Sequence, residues 1–72
     1  MSSIVDARGL SCPQPVLMTM KEIQKVRQGE IIVLVDTDTA RENVTRAAVS
    51  KGWTLKGVEP DGAGCRVVLT RE

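Results

Sequence analysis

Seventy-two residues make one small domain, 1–72, of a size that buries about 60% of its unfolded-chain surface. Apolar residues supply 42% and charged ones 26%, the proportions of an ordinary globular chain rather than a disordered or membrane-spanning one. A net charge of +1 and a single aromatic residue, Trp53, argue against a nucleic-acid or anionic-membrane surface and leave no platform on which bases could stack.

The first strand is expected over Ser3–Ala7. The stretch Gly9-Leu10-Ser11-Cys12-Pro13-Gln14-Pro15 then joins it to a helix. A cysteine at that junction feels a helix N-terminus, whose N–H groups and dipole favour an anion, and thiolate is the reactive form of the side chain. Pro13 biases Cys12 towards an extended conformation, and a proline is tolerated in a first turn. Pro15 biases Gln14 in the same way, so the helix is expected to begin at either proline. The amides left near the sulfur would then belong mainly to Gln14 and Val16. Gly9 most simply supplies a backbone turn before the cysteine.

Val16, Leu17, Met20, Ile23 and Val26 are spaced for one buried helical face. Lys21, Glu22, Lys25 and Arg27 would then point to solvent, and Gly29 would cap the C-terminus. Glu30–Asp36, with five consecutive apolar residues, reads as a central strand parallel to the first through a right-handed crossover. Asp36-Thr37-Asp38-Thr39 is expected as a loop, and Thr39-Ala40-Arg41-Glu42 as a capping box opening a second helix. That helix buries Ala40, Val44, Ala47 and Ala48, carries a Glu42–Arg46 pair, and ends at Gly52. Trp53–Glu59 and Cys65–Arg71 are the last two strands, with Pro60-Asp61-Gly62-Ala63-Gly64 as the turn between them.

The order is β-α-β-α-β-β, an α/β chain in which two helices can cover only one face of a four-stranded sheet. Ile32 and Leu34 therefore fall on the open face, opposite Ile31, Val33 and Val35. The open face is either partly covered by neighbouring side chains or a surface for docking or homodimerisation. Parallel first strands also bring the loops after both to one sheet edge, where α/β sites gather. Asp36 and Asp38 are then possible neighbours of Cys12, though their charge opposes thiolate formation and local turn chemistry explains them equally well. Arg8 is a candidate contact for an anion or a partner. Cys65 is in phase with Val67 and Leu69 and reads as core.

With no histidine, the usual base of cysteine hydrolases is missing. A zinc site would rest on two distant cysteines and carboxylates, so no metal or cofactor is expected. No stretch is apolar enough to span a bilayer and no signal-peptide pattern is present, so a cytoplasmic setting is expected, which disfavours a Cys12–Cys65 disulfide.

Asp6-Ala7-Arg8-Gly9-Leu10-Ser11-Cys12-Pro13-Gln14-Pro15 resembles the R-G-L-x-C-P-x-P signature of the TusA/SirA/YedF family of small sulfur-transfer proteins. Residues 35–44 look most like the N-terminal TusA-like domain of YedF-type proteins, which often continue into a second domain for which this chain has no room. The resemblance implies a two-layer sandwich of two helices on a four-stranded mixed sheet. It implies that Cys12 accepts sulfane sulfur as a persulfide from a donor protein, such as a cysteine desulfurase, and passes it to an acceptor protein. Gly9, Leu10, Pro13, Gln14 and Pro15 would shape that site. The alternatives are a thiol redox protein with Cys65 as resolving thiol, and a non-catalytic regulatory binding module.

Overall fold

The computed structural model describes residues 2–11 and 13–71. Its elements are β1 (Ser2–Asp6), α1 (Gln14–Val26), β2 (Gly29–Val35), α2 (Asp38–Ser50), β3 (Thr54–Asp61) and β4 (Gly64–Arg71). The sheet order is β1-β2-β4-β3. β1 runs parallel to β2, whereas β4 is antiparallel to both β2 and β3. The expected element order, mixed sheet and central position of the Ile31–Val35 run are all present.

One layer of the core comes from β2 and β4, whose Ile31, Val33, Val35, Val67 and Leu69 are fully buried. Ile23 of α1, Ala40, Val44 and Ala48 of α2, and Trp53 close over them. Ala47 is only half-buried, so the buried α2 stripe is the single line Ala40, Val44 and Ala48 at a spacing of four, a narrow seam of small side chains.

The buried line of α1 differs from the apolar pattern. Pro15, Thr19 and Ile23 face inward, at i, i+4 and i+8, while Leu17 is 55% exposed. Thr19 can be buried because its Oγ1 donates to the Pro15 carbonyl at 2.8 Å, which satisfies the hydroxyl within the helix. Val16 and Met20 flank this line and pack on the core from its sides.

Beyond one-residue shifts at other element ends, three predicted boundaries move. α1 ends at Val26, three residues before Gly29, with Arg27 as its cap at φ 70°. The Gln28 amide donates to the Val26 carbonyl across it at 2.8 Å, a γ-turn that reverses the chain straight into β2. α2 begins at Asp38, capped by Thr37 rather than Thr39, with the Thr37 side chain accepting from the Ala40 amide. The ion pair formed on this helix joins Asp38 and Arg41. β3 runs on through Pro60 and Asp61, so the turn shrinks to Gly62-Ala63. Pro60 is tolerated there because β3 is an edge strand, where a missing amide donor costs no ladder bond.

The face of the sheet away from the helices is banded. Ile4, Ile32, Val68 and Gly57 lie in register across the four strands, as do Asp6, Leu34, Arg66 and Glu59. Ile4 is 68% exposed, and Ile32, Leu34 and Val68 are half-buried. The ion pairs Lys56–Glu30 and Arg66–Glu59 lie on the strands that carry the apolar row.

Candidate functional site

Because β1 and β2 are parallel, the chain leaves both at the same edge of the sheet. The ladder continues one residue past β1, where the Ala7 amide donates to the Leu34 carbonyl at 2.9 Å and Ala7 is buried. Beyond it the chain turns. The Leu10 amide donates back to the Ala7 carbonyl at 3.4 Å, and Gly9 in third position has φ 77°, the positive value that a type II turn demands there. This is the backbone role expected of Gly9.

Carboxylates accept from two successive amides of this turn. Asp6 Oδ1 accepts from the Arg8 amide at 3.2 Å and from Arg8 Nε at 2.9 Å. Asp6 Oδ2 accepts from Arg8 Nη2 at 2.9 Å. The guanidinium thus grips its carboxylate through two nitrogens, and these hydrogen bonds hold the Asp6 pKa down at about 2. The same pairing raises Arg8 above its ordinary value, with Asp61 and Asp36 contributing from further away. Arg8, a candidate for recognising an anion or partner, is therefore engaged by Asp6.

The second carboxylate comes from the other loop. Asp36 Oδ2 accepts from the Gly9 amide at 2.8 Å, across 27 residues of sequence. Asp36 is where the parallel arrangement puts it, at the same edge as the first loop. Asp38 is not brought in. It opens α2 with its side chain 98% exposed, 3.9 Å from Arg41. An open groove of about 440 Å³ runs between the loops, lined by Gly9, Leu10 and Ser11 on one side and Asp36, Thr37 and Thr39 on the other.

Cys12 itself lies outside the described residues. On either side of it, Ser11, Pro13 and Gln14 are exposed, and Leu10 is partly so. α1 starts at Gln14 with Pro13 as its cap, no side chain capping it and no acidic residue in its first turn. Its positive dipole end thus stays uncompensated by side chains. One expected donor is spent, since the Gln14 amide donates to the Ser11 carbonyl at 2.9 Å. Pro15, expected among the residues shaping the site, is buried beneath the helix start, its carbonyl engaged by Thr19.

Cys65 is a half-buried free thiol packed against the core, paired in register with Val35 and Pro60. Among the described residues no three His, Cys, Asp or Glu side chains cluster as metal ligands, and no helix is long and apolar enough to cross a membrane.

Two site-building residues, Asp6 and Gly64, escaped the sequence reading. Asp6 ends β1 two residues before Arg8 of the turn, and that short spacing of opposite charges was the available signal. Gly64 gave none. A Cβ there would strike the Val35 carbonyl oxygen and stand 2.8 Å from Asp36 Cα, a proximity that exists only once β4 lies on β2.

A family described as sulfurtransferase TusA matches residues 3–71. The chain belongs to that family. It is 34% identical over 68 residues to a putative sulfur carrier protein of Methanocaldococcus jannaschii, covering 93% of this chain and 91% of that protein. It is 31% identical over 58 residues to the sulfur carrier protein TusA of Pseudomonas entomophila, covering 79% and 72%. It also matches the putative sulfur carrier YrkF of Bacillus subtilis at 33% identity, but spans only 37% of that longer protein. The crystal structure of a SirA-like protein from Desulfitobacterium hafniense superposes with a TM-score of 0.85 at 30% identity, covering 94% of this chain and 95% of that one.

Proposed function

We propose that this protein is a sulfur carrier that holds sulfane sulfur as a persulfide on Cys12 and hands it to a partner protein. The observation that carries the reading is the family match over residues 3–71, which includes the whole Arg8–Pro15 signature. Relatives named as sulfur carriers support it, as does the setting of the signature before a helix whose first turn carries no acidic residue.

The chemistry balances without an added oxidant or reductant. The Cys12 thiolate attacks the terminal sulfur of a donor persulfide, forming a new S–S bond as the old one breaks, and the donor cysteine leaves as thiolate. Handover repeats the step in the other direction: an acceptor thiolate attacks the terminal sulfur, and Cys12 is the leaving thiolate. Every group that gains or loses charge is a sulfur anion, so the residues around it need only keep the loop open and favour negative charge. Donor and acceptor are proteins presenting their own cysteines.

The test is intact-protein mass after incubation with a cysteine desulfurase and cysteine. Wild-type protein gains one sulfur, reversed by a reducing agent, and Cys12→Ser gains none. No gain, or a gain that persists in Cys12→Ser, would overturn the reading. A thiol redox role with Cys65 as resolving residue would instead yield a disulfide on peptide mapping after oxidation.

A further inference from the structure

We propose that Asp36 is a positioning residue for the Cys12 loop: its carboxylate holds the Gly9 amide and so sets where that loop stands for sulfur transfer. The proposal rests on the sulfur-carrier reading and deepens it. Its first support is the 2.8 Å bond from the Gly9 amide to Asp36 Oδ2, a link between the loop after β1 and the loop after β2. Gly9 sits at a left-handed φ of 77° and lacks a side chain that could fix it by packing, so bonds at its peptide group decide its orientation.

The second support is that Asp36 is itself held. β4 meets β2 so closely that a Cβ on Gly64 would collide with the Val35 carbonyl and crowd Asp36 Cα at 2.8 Å. The base of the Asp36 loop is thus clamped by backbone, and its carboxylate reaches Gly9 from a rigid support, as precise placement requires. The Arg8 amide is held next door by Asp6. The turn therefore enters the segment bearing Cys12 with two consecutive amides tied, one locally and one to the sheet.

Asparagine at position 36 keeps an oxygen that can accept from Gly9 but loses the charge, whereas alanine loses both. Sulfur loading from a desulfurase and the hydrogen exchange of the 8–11 segment are measured for wild type, Asp36→Asn and Asp36→Ala. Asp36→Ala is expected to exchange faster at Gly9 and load about tenfold more slowly, while Asp36→Asn stays within about threefold of wild type on both. Rescue by asparagine is a result that loss of charge cannot produce.

Three results overturn the assignment. They are an Asp36→Ala loop that loosens yet loads at the wild-type rate; faster loading by both variants, making the charge the operative feature; and equal slowing of both with the loop still protected. Failure of wild-type protein to take up sulfur on Cys12 is a separate result that overturns the carrier reading and this inference together.

Discussion

Replacing Gly64 with alanine is expected to cost far more stability than the same change at Gly57 of β3. The added methyl has nowhere to go. It would strike the Val35 carbonyl oxygen, stand 2.8 Å from Asp36 Cα and 3.0 Å from the Val35 carbonyl carbon. All three obstacles are backbone, so no side-chain rotation relieves them, and β4 must lift away from β2 at the Val35–Cys65 pair. Overpacking of this kind costs about 1–3 kcal/mol and a weakened ladder bond about 1 more, for about 2–4 kcal/mol in all. In a domain this small that lowers Tm by about 10–25 °C. Gly57→Ala is the matched control, because its Cβ meets nothing within 4 Å. It should stay within about 0.5 kcal/mol of wild type or gain slightly from the stiffer unfolded chain. Urea unfolding followed by Trp53 fluorescence suits both variants, since Trp53 is buried and is the sole aromatic residue. Equal midpoints for Gly64→Ala and wild type would refute the close approach of β4 to the Asp36 loop. The support offered for Asp36 as a positioning residue would fall with it.

The other predictions concern the two carboxylate-rich loops. Asp6 titrates at about 2 in the folded protein against an ordinary 3.8. A depressed carboxylate stabilises the fold above its unfolded pKa and loses that contribution as pH falls towards the folded one. The stability difference between wild type and Asp6→Asn should therefore be constant above pH ~4 and shrink between about 4 and 2. A difference that persists at pH ~2 would contradict the Asp6–Arg8 clamp. Thr37→Ala removes the oxygen that accepts from Ala40 and should lower stability by about 1 kcal/mol. Thr39→Ala, at the position the capping-box pattern favoured, should change it by less than about 0.5 kcal/mol. Thermal melts of the two decide which threonine caps α2.

Much of the architecture was readable because short-range physics wrote it. The unbroken Ile31–Val35 run announced a central strand, and its parallel pairing with the first followed from the helix between them. From that pairing alone, Asp36 could be placed at the edge where Gly9 stands. Local competition between similar signals was where the reading slipped. The Thr-x-x-Glu pattern pointed to Thr39 as the cap of α2, whereas the Thr37 side chain takes that place by accepting from the Ala40 amide. Leu17 looked like core by spacing, but Thr19 took the inward line once the Pro15 carbonyl could absorb its hydroxyl.

What the sequence by itself determined is the order of the elements and the chemistry available: one cysteine in a proline-framed junction, no histidine, no charge surplus, and a signature shared with the TusA family. Those properties belong to single residues and to neighbours along the chain. Tertiary structure alone decided how the junction is held. Arg8 is drawn onto Asp6, Asp38 is turned to solvent, and Asp36 reaches Gly9 across 27 residues while Gly64 braces it from behind. No periodicity encodes such contacts, because they arise between segments that meet only when the sheet closes.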